Sequence, residues 1–323
     1  MFYIPNPDKD PMLSRREAIN LLNIPDGEID SLIQYAGFFR KKYKGNHVSI
    51  HLLTNVRSGN CSQDCSYCSQ SCQSHADIEK YRWVDDKKLY EDHAFVHDHS
   101  LSRHCIGLSG IRFTDEDIER LAEKIRKMKS DGTHICCSIG FLTEKQALIL
   151  KDTGLDRINH NLNTGRLYYP KICSTHTYEQ RIENIRMLKD LGYEICSGGI
   201  VGMGESCEDL VDMLLDLREI QPEALPINFL LPIPGTSLEK TDTSILTPEY
   251  CLKVLCLARL MVPKSDIRCA AGREVYFKGR EKELLTVANS IFASGYLTAQ
   301  GQNITDTIQT ITDAGFTCAV ESD

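Results

Sequence analysis

Eight short apolar runs, each followed by an amphipathic stretch that ends near glycine, set what this chain can fold into. They fall at 48–53, 104–108, 134–139, 157–162, 194–201, 225–231, 266–270 and 289–293, the first alternating as Val48-Ser49-Ile50-His51-Leu52-Leu53. Apolar positions recur at helical spacing over 86–99, 115–129, 144–151, 178–191, 208–220, 248–261 and 281–288. Thr114 and Thr143 stand where N-caps belong. Strands alternating with helices require a parallel sheet, and eight such units predict closure into an α/β fold, the (β/α)8 TIM-type barrel. Residues 14–43, capped by Ser14, read as a helical lid or plug ahead of the barrel, and 304–314 as a closing helix. No Pro-, Gly- or Ser-rich linker divides the chain. The expected organisation is therefore an N-terminal helical extension over 1–44 and a barrel with its C-terminal helix over 45–323.

Directly after the first run come three thiols in eight residues, Cys61, Cys65 and Cys68, spaced C-x3-C-x2-C. Asn, Ser and Gly precede them and favour a loop. In a loop, thiolates at this spacing can each reach a different corner of a four-iron cubane and leave the fourth iron open to a small molecule. Cys72 keeps two other readings in play, an all-cysteine electron carrier and a zinc knuckle, and scattered structural thiols are a third.

The chain holds 14 cysteines among 323 residues. In a reducing compartment such a count points to metal binding, not disulfides. Residues 1–10 lack the basic and apolar regions of a secretion signal, and no apolar window is long enough to span a bilayer, so a cytoplasmic protein without a membrane partner is expected. A net charge of -8 argues against nucleic acid and for small-molecule substrates.

Barrel enzymes act at the C-terminal ends of their strands. Cys105, Cys136, Cys137, Cys196, Arg268 and Cys269 fall on predicted strands. Any one of these thiols alone fits a buried packing role; their recurrence on several strands points to a second cluster in the lumen. Asn159, Asn161 and Asn163 share a face at period two, and Asn228 is a lone amide in an apolar strand. Buried amides need partners, supplied by a ligand or by neighbouring strands. The glycine series 198–204 suits close packing around a nucleoside or a plain tight turn. For Arg268 the residues alone favour a salt bridge to an acid such as Glu274, and for His93, His97 and His99 a solvated helix face over metal ligation.

Several blocks carry a resemblance: 60–70 around the thiol loop, 157–164, 196–205, 226–230, 270–274 and 288–292. On these the chain resembles the biotin synthase family of radical S-adenosylmethionine (SAM) enzymes over nearly its whole length. The resemblance implies a 4Fe-4S cluster on Cys61, Cys65 and Cys68 whose open iron is chelated by SAM. It further implies a deoxyadenosyl radical that takes hydrogen from dethiobiotin, with sulfur coming from an auxiliary cluster. By position Cys105, Cys136, Cys196 and Arg268 match the auxiliary ligands, and the salt-bridge reading of Arg268 yields to this one. Asn161 and Asn228 match substrate contacts, while Tyr67, Asn163 and Arg181 match positions near SAM. A flavodoxin or ferredoxin as electron donor and a homodimer are also implied. Asn163 departs from the Asp that many members carry. The extra thiols Cys137 and Cys269 suggest, instead of a 2Fe-2S species, a larger 4Fe-type auxiliary cluster completed by Cys269 or a non-protein sulfide, although period two turns Cys269 away from Arg268. Competing functions are a hydrogenase-maturation or methylornithine-forming relative, and an electron carrier using Cys72.

Overall fold

Parallel pairing runs unbroken around the sheet of the computed structural model, which describes residues 9–293 and 303–318. The strands are β1 (Ser49–Arg57), β2 (Arg103–Leu108), β3 (Ile135–Ser138), β4 (Arg157–Asn159), β5 (Glu194–Cys196), β6 (Gly199–Val201), β7 (Ala224–Phe229), β8 (Asp266–Cys269) and β9 (Ser290–Ala293). Their order is β5-β4-β3-β2-β1-β9-β8-β7-β6, and a further β5–β7 pairing closes the ring. All eight predicted runs form strands. The fifth is split, so β5 and β6 are halves of one barrel strand that both lie against β7. Gly198 is the reason for the break: a Cβ there would stand 1.9 Å from the carbonyl oxygen of Pro226, so only glycine lets the two strands approach this closely.

The helices are α1 (Arg15–Leu22), α2 (Ile29–Lys44), α3 (Asp86–Asp98), α4 (Asp115–Met128), α5 (Glu144–Lys151), α6 (Tyr169–Ile172), α7 (Tyr178–Asp190), α8 (Cys207–Ile220), α9 (Pro248–Met261), α10 (Arg273–Tyr276), α11 (Glu281–Val287) and α12 (Ile304–Asp313). Local chemistry starts most of them. Ser14, Thr143, Thr177 and Ser206 each close a capping box, and Thr114 accepts from the amide of Asp117. The barrel helices face the outside of the sheet, so each strand buries one face under helices and turns the other into the lumen.

The N-terminal helices are neither lid nor plug. They clasp the outer helical layer: Arg15 pairs with Asp212 of α8 at 2.6 Å, Arg218 of α8 donates to the carbonyl of Leu13 at 2.7 Å, and Lys253 of α9 reaches Asp26 at 2.7 Å. Leu32, Ala36 and Phe39 of α2 are fully buried, an apolar stripe at helical spacing that needs a helical partner, not an open barrel mouth. The first eight residues of the expected extension lie outside the described residues.

Candidate active site

β1 ends at Arg57 and hands the chain to a loop that stays free of helix through Lys80. The loop folds on itself: the Cys61 amide donates to the Gln70 carbonyl at 3.2 Å, Cys72 N–H to Gln63 at 2.9 Å, and Cys68 N–H to Cys65 at 3.0 Å. Cys61, Cys65, Tyr67 and Cys68 thereby line one wall of a cavity of about 300 Å³. Asn159, His160, Asn161, Asn163, Arg181 and Asn228 line the rest together with Gln63, His176 and Ile200. Every predicted residue of the SAM and substrate sets is thus brought to one cavity. Burial pushes the thiols of Cys61 and Cys68 up, the latter to about 11, so each must shed a proton when it takes a metal. Cys72 is exposed and stands outside the cavity lining, which disfavours the carrier reading.

The amides reach the cavity by different routes. β4 stops at Asn159, so period two does not continue to Asn163. Instead Asn163 takes φ +74°, in the left-handed region that Asn tolerates better than most residues, and its amide and carbonyl bridge to Gly198 and Ile200 at 3.0 and 2.8 Å. Asn228 donates to Gly199 O and accepts from the Ala271 amide, both at 3.2 Å; both ends of its side chain are engaged by backbone. Arg181 donates to the Asn161 carbonyl at 3.0 Å and to His176 Nε2 at 2.8 Å. His160 lines the same cavity with a buried Nε2 that has no hydrogen-bond partner among the described residues; burial pushes its pKa well down. An orphaned acceptor beside three thiols is what a cavity built for a polar ligand leaves behind. In the glycine series the tight-turn reading holds: Gly202 and Met203 amides donate to Glu205 at 2.7 and 2.8 Å, and Ile200 is the member of the run that lines the cavity.

One layer deeper, strand register sets a second group of thiols. Cys105 faces Cys136 across β2–β3, and Cys196 faces Asn159 across β4–β5. Cys105, Cys136 and Cys196 project into the lumen around a gap of about 40 Å³ with Leu53, Arg268 and Phe292. The neighbouring Cys136 thiol lowers the pKa of Cys105, while Cys105 raises that of Cys136 to about 12 and the Cys136 contact and burial raise that of Cys196. Arg268 is 2% exposed and donates to Ser290 Oγ at 2.9 Å, to His51 Nε2 at 3.0 Å and to Cys196 Sγ at 3.8 Å. Among the described residues no carboxylate pairs with it; Glu274 pairs with Arg273 at 2.7 Å. A cation this deep among thiols needs anionic neighbours, which three thiolates on a metal core would provide. Cys137 and Cys269 lie on the opposite strand faces, fully buried against the helical layer, with Cys269 close to Cys251 of α9. Cys269 therefore does not complete the lumen site, because period two points it outward.

Asn159 joins the two layers. It lines both cavities, and its Nδ2 donates to Cys196 Sγ at 3.2 Å and to Asn161 Oδ1 at 3.1 Å while its Oδ1 accepts from Ser138 Oγ at 3.1 Å.

Three residues at these sites escaped the sequence reading. His51 shares the lumen face with Leu53, two positions on, and sits 3.7 Å from Cys105 Sγ. Cys173 and His176, spaced C-x2-H just ahead of α7, stand against the first thiol loop: Cys173 Sγ lies 3.8 Å from Cys65 Sγ and 3.2 Å from His176 Nδ1. The alternation of β1 and that spacing were the available signals. Of the three α3 histidines, His97 and His99 are exposed as expected. His93 is buried instead, 3.1 Å from His104 Nδ1 and 2.9 Å from the Met128 carbonyl, a satisfied core histidine.

A three-cysteine loop at the C-terminal end of the first strand of a closed parallel barrel, opening on a polar cavity, defines the radical SAM class of enzymes. The family model of the radical SAM superfamily matches residues 55–217, and that of the biotin and thiamin synthesis associated domain matches 226–317. The biotin synthase of Cutibacterium acnes is 40% identical over 306 residues, covering 94% of this chain and 85% of that protein. The biotin synthase of Halalkalibacterium halodurans is 41% identical over 305 residues, covering 94% and 91%. The chain belongs to the biotin synthase family. Among solved structures, methylornithine synthase aligns with a TM-score of 0.82 at 21% identity, covering 95% of this chain and 94% of that one. The hydrogenase maturase HydG of Carboxydothermus hydrogenoformans aligns with a TM-score of 0.81 at 15% identity, covering 94% and 75%. Both share the fold.

Proposed function

We propose that the two thiol layers divide the work of a biotin synthase, with Cys61, Cys65 and Cys68 holding the 4Fe-4S cluster and Cys105, Cys136, Cys196 and Arg268 holding the auxiliary cluster. The chain is a radical SAM sulfurtransferase of the biotin synthase family, acting on dethiobiotin with a 4Fe-4S cluster, SAM and an auxiliary iron-sulfur cluster. Bound together, these groups supply hydrogen abstraction from unactivated carbon and the sulfur that replaces it. The observation that carries the residue assignment is the stacking of the two layers in one lumen with Asn159 between them.

Tyr67, Asn163 and Arg181 line the upper cavity, and we assign them to SAM. The uncharged amide of Asn163 can accept from and donate to ribose hydroxyls without the charge of a carboxylate. Asn161, which accepts from Asn159 Nδ2 at 3.1 Å, and Asn228, across the same cavity, would orient the ureido group of dethiobiotin. Surrounding apolar walls, with Leu108, Ile139 and Leu230 among them, keep water from a reactive carbon. In the lower layer, a donor set of three thiols and one guanidinium, with Cys269 turned outward, favours a two-iron auxiliary core over a four-iron one.

A flavodoxin or ferredoxin delivers electrons at the face where Cys72 is exposed and Cys61 is half-buried. The enzyme works as a homodimer. The cytoplasm is its place, supported by fourteen unpaired thiols; no helix among the described residues is long and apolar enough to cross a membrane. We also propose 1–44 as an extension distinct from a barrel domain over 45–323, since α1 and α2 add no strand to the sheet.

The test is anaerobic incubation of reconstituted, reduced chain with SAM and dethiobiotin. Biotin together with deoxyadenosine and methionine is expected. Deoxyadenosine without any sulfur-bearing product would overturn the assignment in favour of another radical SAM reaction. Mössbauer spectra of the same sample should show a two-iron component beside the four-iron one.

A further inference from the structure

Cys173 and His176 belong to neither thiol layer, yet they converge on a residue of the first. The ligand atoms of Cys65, Cys173 and His176 all lie within 4.8 Å of one another, and all three residues are buried. The convergence is built in. Asp64, between Cys61 and Cys65, accepts from the amides of Ser174 at 3.0 Å and Thr175 at 3.2 Å, from Thr175 Oγ1 at 2.8 Å, and from Cys173 Sγ at 3.2 Å. The Ser66 amide donates to the Ile172 carbonyl at 2.9 Å. These bonds fasten the 173–176 turn to the cysteine loop from both sides.

The spacing matches one ion better than one corner of a cluster. A tetrahedral zinc ion with Zn–S of about 2.3 Å and Zn–N of about 2.0 Å holds two sulfurs roughly 3.8 Å apart, and a sulfur and a nitrogen about 3.5 Å apart. Cys65 Sγ and Cys173 Sγ are 3.8 Å apart; Cys173 Sγ stands 3.2 Å from His176 Nδ1 and 3.7 Å from Nε2, so the ring must turn to present Nε2 to an ion held by both sulfurs. Thiolates on separate corners of a cubane stand much farther from each other. Gln63 Oε1 accepts the Nδ1 proton at 2.9 Å, which sets the tautomer that leaves the lone pair on Nε2, as in metal-bound histidines. Nε2 now accepts from Arg181 Nη2 at 2.8 Å, so uptake of a cation releases that guanidinium.

We propose that Cys65, Cys173 and His176 form a three-ligand site for a single thiophilic divalent cation, zinc by its tetrahedral preference, in the chain before its first cluster is built. Because Cys65 cannot serve both, an ion held there competes with cluster assembly. The competition rests on Cys65 being a cluster ligand; the binding itself does not.

The experiment titrates cobalt(II), as a spectroscopic probe, into full-length chain freed of iron and kept anaerobic, then adds zinc. One equivalent should give sulfur-to-cobalt charge transfer and tetrahedral d–d bands, bleached by zinc. Cys173→Ser and His176→Asn should each weaken cobalt binding at least tenfold, while Cys61→Ser leaves it unchanged. Circular dichroism identifies any variant that fails to fold, and the other then decides. Loss of the spectrum in Cys61→Ser with retention in Cys173→Ser would overturn the site and place the ion in the C-x3-C-x2-C loop. In a second arm, one equivalent of zinc added before iron and sulfide should slow first-cluster formation at least fivefold in the wild type but not in Cys173→Ser. Equal slowing in both would overturn the competition while leaving the sulfur-insertion assignment untouched.

Discussion

Asn159 Nδ2 donates to Cys196 Sγ at 3.2 Å, a direct link between the cavity assigned to SAM and substrate and the thiol layer beneath it. The same nitrogen reaches Asn161 Oδ1 at 3.1 Å. Hydrogen bonds to sulfur tune what an iron-sulfur cluster does, so this amide acts on the lower layer without being one of its ligands.

Asn159→Ala should uncouple the two layers. Losing one such bond is worth about 1 kcal/mol, so auxiliary sulfide content and biotin yield are expected to fall roughly fivefold while deoxyadenosine formation stays within about twofold. Iron and sulfide counts beside product assays check this. A parallel fall in both products would show that Asn159 serves the upper cavity alone.

Cys72→Ala separates the open-iron loop from a four-cysteine carrier. Cys72 is exposed and lines neither cavity, so first-cluster iron content and SAM cleavage should stay at wild-type levels. Cys68→Ala, by contrast, should abolish both. EPR of the reduced variants with and without SAM reads the difference.

Asp156 supplies an acid-range stability dependence. Burial pushes its carboxyl up, but the Ile135 amide at 2.8 Å and Lys129 Nζ at 3.0 Å outweigh this and hold its pKa below the usual carboxylate value. A folded-state pKa below the unfolded one of about 3.9 contributes stability that is fully present above that value and is lost as pH falls through the folded one. Asp156→Asn should therefore cost about 1 to 2 kcal/mol at neutral pH, with the difference shrinking as the pH falls below about 3.9. Thermal melts of both proteins across that range test it; a constant gap would exclude charge as the cause.

Gly198→Ala should disrupt the barrel. Its Cβ would meet Pro226 O at 1.9 Å and the Pro226 ring at 3.0 Å, and neither is a flexible side-chain end. A loss of about 3 kcal/mol or more is expected, seen as a lowered melting temperature together with loss of thiols able to assemble the lower cluster.

Much of this was legible in the chain. Period two turned Cys269 away from Arg268, because strand alternation is a local rule, while Cys105, Cys136 and Cys196 were singled out from the other strand thiols by the family resemblance. The thiol loop was equally legible, since its spacing lies within eight residues. The break after Cys196 was not, because it comes from the close approach of Pro226 on another strand. Nor was the role of α1 and α2, which is settled by partners on α8 and α9 some two hundred residues away. Arg268 read from its residues alone pointed to Glu274; only the fold shows that Glu274 faces Arg273 and that His51 and Cys196 are the neighbours of Arg268.

The register that sets Cys105 opposite Cys136 belongs to the backbone ladder and not to anything the thiols hold. Main-chain pairing, and not the thiols themselves, therefore aims Cys105 and Cys136 at one point of the lumen.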